Sequence, residues 1–354
     1  MTAPLPLADW LAWCRQAHAL LAPNPHNLQP WLVDLREEGV ITLRTDRERV
    51  LPHTDPLGRQ ILIGHGAFLE LLVMALAQQG VASEVLLWPQ GELPAALKDW
   101  DDRPVARITL KPGGQPDPLF AQVLLRRTPK TDFDTTRPVA PELLARLLGS
   151  APAQAPLSVG GTVSADQLPA LRTLCWESAQ VELLTPRTMM ESIHLTRVGP
   201  AEILQHRDGI SINTPFVRAV TALGMFDRTQ PPAEGSAAYK SAMGRFEGHS
   251  RTAMGFVWIA GPNTRSDQIH TGRLYVRQQL QATALGVGMH PMSQAVQEFA
   301  EMAPHFERVH QLVLGRPAPR TPQEPTVQMF CRIGYPQGEV PATPRRPLAR
   351  FVQA

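Results

Sequence analysis

Hydrophobic and polar positions along the chain predict helices and strands in two successive series. In the first series, apolar residues at near-helical spacing predict a helix over 7–22, and a polar loop follows it. A long segment, about 61–79, is apolar on nearly every face, which is typical of a helix buried on several sides. Short apolar runs in this series predict strands over 31–35, 40–43, 85–89 and 105–110.

A Gly- and Pro-rich stretch, 111–118, reads as a linker before the second series. The second series has helical patterns over 119–125, 141–148, 166–184, 272–285 and 292–301, and strand patterns over 256–260 and 327–335. The pattern over 187–247 is irregular, and a loop region of this length within a domain is usually a functional cover or disordered. We therefore predict an α+β fold of two loosely related halves, 1–115 and 116–354, with a lid-like insertion at about 187–247 and a C-terminal arm.

Composition narrows the class of protein. The chain has 354 residues, 43% hydrophobic and 19% charged, as in globular proteins, and its formal net charge is only +2. That charge and the absence of a dense Lys/Arg run predict no nucleic-acid partner. Neither a signal peptide nor an apolar run of membrane-spanning length is evident. The three cysteines are far apart, which predicts no metal site or disulfide framework and favours the cytoplasm.

A polar loop at 23–31, Pro-Asn-Pro-His-Asn-Leu-Gln-Pro-Trp, separates the first predicted helix from the first strand. Asn27 and Gln29 stand on this loop. Each amide offers donors and an acceptor at once, which suits the edge of a planar heterocycle. The pattern alone is equally compatible with a turn that has capping amides.

A second polar group stands at Arg126-x-Thr128-x-Lys130. Two cations and a hydroxyl at alternating positions can reach one anion, because guanidinium, ammonium and hydroxyl groups all donate to phosphate oxygens. A solvated basic turn remains the alternative.

Together these stretches resemble the FMN-dependent nitroreductases, and most closely their duplicated, Acg-type subfamily. The loop at 23–31 is similar to that subfamily's Pro-Ser-Pro-His-Asn-x-Gln-Pro-Trp pattern, with Asn24 in place of Ser. The run from Leu51 to Ala67, with Asp55-Pro56-x-Gly58-Arg59, is also similar. The resemblance implies a pseudo-dimer in which the two halves of one chain close around FMN.

The resemblance also implies roles for individual residues. Arg126 and Thr128 would hold the flavin phosphate and ribityl chain, and Lys130 would face N1 and O2 of the ring. Pro129 departs from the common pattern and puts that turn in doubt. At the other end of the chain, Gly334-Tyr335-Pro336 and the later arginines resemble the family's C-terminal phosphate-binding segment, so either Arg345 or Arg346 would contact phosphate.

The turn Gly286-x-Gly288-Met289 is either a helix C-cap or, by the resemblance, the loop that brings a backbone N–H near flavin N5. Gly288 and Met289 are the candidates for that contact. Motifs of other enzyme classes are missing: Gly64-x-Gly66 lacks the third glycine of a dinucleotide-binding loop, and no H-E-x-x-H occurs. His26 and His65 could donate to substrate, but a core or surface histidine is the preferred interpretation of each.

The resemblance implies an FMN-dependent oxidoreductase that passes two electrons from NAD(P)H through flavin N5 to a small acceptor such as a nitroaromatic or quinone. An alternative is a flavin-sequestering or sensing protein, in which the insertion covers the flavin and NAD(P)H turns over little. An interaction protein without a cofactor is the third hypothesis. The chain would be a monomeric pseudo-dimer or a homodimer, with no membrane partner.

Overall fold

The computed structural model describes residues 18–149, 156–223 and 227–353. Most of the predicted helix over 7–22, and Cys14 with it, lies outside this part of the chain. Its described end, His18–Leu21, is a short 3-10 helix.

The first half builds an antiparallel sheet around one long helix. Its elements are β1 (Trp31–Asp34), β2 (Val40–Thr45), α1 (Arg59–Gln78), β3 (Val81–Leu87) and β4 (Ala106–Pro112). The strands lie side by side in the order β1-β2-β4-β3. Helix α1 is buried along most of its length because its apolar residues face the sheet on one side and the second half on the other.

The second half contains a second sheet and a large helical insertion. Helix α2 (Pro141–Gly149) precedes strand β5 (Ser158–Thr162). The insertion, residues 163–254, contains α3 (Leu168–Leu184), α4 (Pro186–His194), β6 (Thr196–Val198), α5 (Gly199–His206), β7 (Ile210–Ile212), α6 (Pro215–Ala222) and α7 (Ala237–Arg251). The chain then forms β8 (Gly255–Gly261), α8 (Arg265–Ala284), β9 (Gly288–Pro291), α9 (Ala303–Leu314), β10 (Thr326–Gly334) and β11 (Val352–Gln353).

The two halves share one topology. The second sheet is antiparallel in the order β5-β8-β10-β9, which repeats the order β1-β2-β4-β3 of the first. In each half one 20-residue helix, α1 or α8, joins the second strand to the third. The predicted α+β fold of two related halves in one chain is therefore confirmed. The division at residue 115 stays a prediction.

Helices α1 and α8 cross where a glycine stands in each. A Cβ on Gly66 would overlap the carbonyl oxygen of Ile269 and lie 2.9 Å from Cα of Gly272. A Cβ on Gly272 would in turn overlap the carbonyl oxygen of Ile63. Each glycine stands at the eighth position of its helix, so the contact is the reciprocal one expected at a two-fold axis.

The first residue of each helix reaches into the opposite half. Arg59, only 1% exposed, donates to the carbonyl oxygen of Gln328 at 2.8 Å and pairs with Glu298 at 2.8 Å. Arg265 donates to the carbonyl oxygens of Leu57 and Ala95, both at 2.8 Å. These buried guanidinium groups are satisfied only when the halves are together.

The C-terminal arm returns to the first half. Strand β11 pairs in parallel with β1, with Val33 opposite Val352, and completes a five-stranded sheet. Phe351 packs fully buried at 6.4 Å from the ring of Trp31. The arm therefore ties the last residues of the chain to the strand that follows the polar loop.

Several predicted elements are corrected. The described part of 187–247 is largely helical, with α4, α5, α6 and the start of α7 in it. Gly209 and Gly235, both at positive φ, stand in the turns between these helices. The predicted helix over 292–301 is two short 3-10 helices, Ser293–Val296 and Ala300–Met302, and that over 119–125 is the 3-10 helix Pro118–Gln122. Helix α8 begins seven residues before 272, because Thr264 and Asp267 form a capping box.

Within the described residues, one helix is long and apolar enough to cross a membrane, namely α1, and 83% of its apolar window is buried in the protein. Core helices of water-soluble proteins meet the same criterion.

Candidate functional site

A cavity of about 610 Å³ lies where the polar loop, the Arg126 segment, the C-terminal arm and the helical insertion meet. Its volume is within the usual range of small-molecule sites, about 300–1,000 Å³. Asn27, Arg126, Thr128, Lys130 and Arg345 all line it. The structure thus brings together predicted site residues that are up to 318 positions apart in the sequence.

The polar loop has an unusual backbone. His26, Asn27 and Gln29 all have positive φ, at 48°, 53° and 55°, although none is a glycine. Asn24 stabilises the loop, since its Oδ1 accepts from the backbone N–H of Gln29 at 2.8 Å and its Nδ2 donates to the carbonyl of Ala22 at 3.0 Å. Strained residues of this kind are concentrated at ligand sites. Asn24, which stands where the Acg-type pattern has Ser, therefore has a structural role in this loop.

Two guanidinium groups converge on one backbone carbonyl. Arg126 and Arg345 both donate to the oxygen of Leu21, at 3.1 and 3.3 Å. Arg126 also donates to the hydroxyl of Thr128 at 3.1 Å, and Arg345 donates to Oδ1 of Asn27 at 2.9 Å. No carboxylate pairs with either arginine among the described residues. Two adjacent cations without a counter-charge favour an anionic ligand.

Burial and mutual repulsion lower the pKa values of the cationic groups at the cavity. Burial, and then the repulsion of Arg126, lower the pKa of Arg345 to about 9. The side chain of Lys130 is exposed to the cavity, but protein surrounds that cavity. Burial is the main cause that lowers the pKa of Lys130 to about 8, and repulsion from Arg245 and Arg345 adds to the shift. Burial and the charge of Lys130 lower the pKa of His26 to about 4, so this histidine is neutral at pH 7.

One acidic residue, Glu182, is among those that line the cavity. It is buried and accepts from Nε2 of Gln297 at 2.8 Å. Burial raises the pKa of Glu182 to about 7, and the neighbouring Glu191 adds to the shift. Because this carboxyl is partly protonated at neutral pH, it compensates little of the positive charge across the cavity.

Four predicted site residues do not line the cavity. Gln29 is fully buried, and its amide donates to the carbonyl of Arg207 at 3.0 Å and accepts from the backbone N–H of Arg346 at 2.9 Å. Arg346 itself donates to the carbonyl of Gln29 at 2.8 Å. Gly288 and Met289 belong to strand β9, where Met289 is part of the second core. Their expected contacts with a flavin remain predictions.

The structure also bears on the alternative roles of the turn at Gly286 and of His26 and His65. Gly286 follows the end of α8 at φ +70°, and its N–H donates to the carbonyl of Thr283, which is the geometry of a C-cap. His65 is fully buried in the core and hydrogen-bonded to the carbonyl of Ile61 at 2.9 Å, whereas His26 lines the cavity with an unpartnered Nδ1.

Sequence reasoning missed the cavity residues of the insertion, including Arg245, His249 and Glu182. Ser241, Arg245 and His249 recur every four residues, which is a helical face. That signal was present, but the intervening glycines at 244 and 248 concealed it in a segment interpreted as irregular.

No protein-family model matches the chain. Over 115 residues the chain is 35% identical to the putative NAD(P)H nitroreductase Acg of Mycobacterium tuberculosis strain H37Rv, covering 32% of this chain and 33% of that protein. The resemblance to Acg is confirmed over this segment. An uncharacterized protein of the same strain is 32% identical over 120 residues, 33% of this chain and 34% of its own length. The chain thus matches about a third of the length of these relatives.

Solved structures overlap the chain more loosely. A nitroreductase NfnB, described as FMN- and NADPH-dependent, from Sphigopyxis sp. strain HMH gives a TM-score of 0.39 at 14% identity, covering 67% of this chain and 98% of that one. A nitroreductase-like protein from Bacillus cereus gives 0.35 at 12% identity, covering 67% and 96%. Overlaps this weak carry no conclusion about the site.

Proposed function

We propose that this protein is an FMN-dependent oxidoreductase that transfers two electrons from NAD(P)H to a small oxidised acceptor, such as a nitroaromatic or a quinone. The observation that carries the proposal is the convergence of Arg126 and Arg345 on the carbonyl of Leu21 at the wall of a large cavity. The relative Acg, described as a putative NAD(P)H nitroreductase, supports the same chemistry.

The residues present fit the proposed cofactor. Nε of Arg126 is buried without a hydrogen-bond partner, and Arg126 and Arg345 are close enough to repel each other. A phosphate monoester would supply the missing acceptor and the missing negative charge. Thr128 offers a hydroxyl to a polyol chain, and Asn27 and Lys130 offer polar groups to the edge of a heterocycle. Gln29 and Arg346 would act indirectly, because Gln29 donates to the carbonyl of Asn27 at 3.2 Å and accepts from the backbone N–H of Arg346 at 2.9 Å.

When bound, FMN supplies the hydride and electron chemistry. The chain's own part is to bind and orient it. Arg126, Arg345 and Thr128 would hold the phosphate and ribityl groups, and the ammonium of Lys130 would stabilise negative charge at the flavin N1 and O2 edge. The neutral His26 and the partly protonated Glu182 leave these cations as the dominant charges of the cavity.

The test is an absorbance spectrum of the purified protein, before and after FMN is added and unbound flavin is removed. A retained flavin spectrum that bleaches rapidly on stopped-flow mixing with NADPH or NADH is the expected result. A protein that retains no flavin would contradict the proposal.

A second candidate function is storage or sensing of flavin. The insertion supplies a large part of the cavity wall and is anchored to the first half: Glu191 accepts from the backbone N–H groups of His53 and Thr54 at 2.9 and 3.0 Å, and Asp208 pairs with Arg49 at 2.8 Å. A cover held in this way would limit access to the flavin. A retained flavin that stays oxidised with both donors would favour this function.

The affinity for FMN should depend on pH through Lys130. In the protein without FMN its pKa is about 8, and a bound anion would raise it. Lys130 is therefore charged below about pH 8, and the affinity should fall as pH rises above 8, by at most about tenfold per pH unit. Fluorescence titrations of FMN between pH 7 and 9.5 measure this. In Lys130→Met the fall that begins near pH 8 should disappear, and an unaltered profile would exclude Lys130 from the flavin site.

A further inference from the structure

We infer that Arg245 forms a second anion-binding subsite in the cavity, and that this subsite recognises a carboxylate on an otherwise apolar, aromatic electron acceptor. The inference rests on the proposed function and extends it to a substrate class. It concerns the part of the cavity built by the helical insertion.

Arg245 is a cation without a counter-charge. It lies on the face of α7 that lines the cavity, together with Ser241 and His249. Its guanidinium carbon lies 5.3 Å from the ring centroid of Phe246, and no carboxylate pairs with it in the described part of the chain. Arg245 is half-buried, and a guanidinium partly removed from water is costly unless an anion completes the site.

Arg245 is separate from the pair of arginines proposed for the FMN phosphate. Arg126 and Arg345 share the carbonyl of Leu21, near the polar loop and the C-terminal arm. Arg245 belongs to the insertion, and Lys130 responds electrostatically to both Arg345 and Arg245. The proposed phosphate contacts come from Arg126 and Arg345, which converge on the carbonyl of Leu21, so they leave Arg245 without a paired anion.

The neighbouring titratable groups do not neutralise Arg245. His249 on the same helix and His290 on β9 have strongly lowered pKa values, chiefly because of burial, and are neutral at pH 7. Arg332, on β10, donates to Nδ1 of His290 at 2.9 Å and adds a further positive charge. Glu182 on α3 is engaged by Gln297. Asp132 approaches α7 at Gly248, but its charge acts on Arg332, and it forms no ion pair with Arg245 among the described residues. A carboxylate that enters the cavity would therefore be attracted to Arg245.

The insertion's part of the cavity wall is largely apolar but not wholly so. Its apolar side chains include Met189, Ile193, Ile212, Phe216 and Val217, and Ser192, Ser211 and Thr214 stand among them. Apolar surface with one guanidinium and a few hydroxyl groups fits a flat, mainly apolar body with a single acidic group.

A nitrobenzoate has this chemistry. Its reduction to the nitroso compound balances as one nitro group, one NAD(P)H and one proton giving one nitroso group, one NAD(P)⁺ and one water. The carboxylate takes no part in this reaction and only binds. Arg245 is therefore assigned to substrate recognition, with no role in electron transfer.

The experiment compares 4-nitrobenzoate with its neutral analogue of the same shape, 4-nitrobenzamide, on the FMN-loaded protein. Isothermal titration calorimetry without an electron donor measures binding, and steady-state assays with NADPH and with NADH measure kcat/KM. In Arg245→Gln, affinity and kcat/KM for 4-nitrobenzoate should fall about tenfold or more, and those for 4-nitrobenzamide should change less than about threefold.

Arg251→Gln is the matched control, because Arg251 is on the same helix with its side chain 76% exposed and paired with Glu247. It should leave both ligands unaffected. Equal losses for both ligands, or no loss for 4-nitrobenzoate, would overturn the inference. A loss confined to assays with NADPH would also overturn it, since the anion would then be the 2′-phosphate of the donor. Failure to retain FMN would instead count against the proposed function.

Discussion

Replacing Arg126 with alanine should weaken the binding of FMN about 10- to 100-fold. Arg126 lines the cavity, donates to Thr128 and shares the carbonyl of Leu21 with Arg345, so its loss removes half of the paired positive charge. Hydrogen bonds to charged groups contribute about 1.5–3 kcal/mol each, which corresponds to this range in affinity. Quenching of flavin fluorescence during titration with protein measures the dissociation constant.

The control is Arg127→Ala. Arg127 is the next residue, but its guanidinium donates to the backbone carbonyl of Leu124 at 2.7 Å and is not part of the cavity lining. Its replacement should leave FMN affinity unchanged. Arg126→Lys should recover part of the loss, because it keeps the charge without the planar fork. Unchanged affinity in Arg126→Ala would show that the phosphate assignment is wrong.

Replacing Gly66 with alanine should destabilise the protein by about 3 kcal/mol or more. The added Cβ would overlap the carbonyl oxygen of Ile269, and backbone atoms of α8 cannot rotate away as a flexible side chain can. The two helices would have to separate, which would disturb packing along the whole interface between the halves. Urea denaturation followed by circular dichroism measures the free energy of unfolding.

Gly244→Ala is the control for Gly66→Ala. Gly244 is also within a helix, α7, but a Cβ there meets no atom within 4 Å. Alanine should therefore be neutral or stabilise the fold by up to about 1 kcal/mol, through its better helix propensity. If Gly66→Ala were as harmless as Gly244→Ala, the close helix crossing would not contribute to stability.

The sequence was most informative where hydrophobic periodicity was long and unbroken. Helix α1 lies within two residues of its predicted bounds, and strands β8 and β10 lie within one. The short strand β11 escaped prediction because two residues in a Pro- and Arg-rich arm show no period, and only pairing with β1 makes them a strand. The segment 187–247 was misinterpreted because α4, α5 and α6 have only eight or nine residues each, too few for a clear helical period.

The site was predictable where chemistry-bearing residues are close in sequence. Spacing marked the segment 126–130 and the loop at 23–31 as candidates but left ordinary turns open, and the family resemblance favoured a site; both contribute to the cavity wall. The choice of Arg345 over Arg346 for the cavity depends on which way two adjacent side chains point, and sequence contains no such information. Arg346 turns the other way, with its guanidinium 4.5 Å from the ring of Phe351.

The reciprocal pair of helices has an evolutionary consequence. In a two-fold homodimer every substitution appears twice, so an improvement on one side is bound to its copy on the other. A fused chain is released from that constraint. The starts of α1 and α8 have already diverged: Gly58 precedes α1, whose Ile61 N–H is satisfied by Asp55 at 3.0 Å, whereas Thr264 caps α8. Descendants of such a fusion can specialise one half for ligand chemistry and keep the other as scaffold.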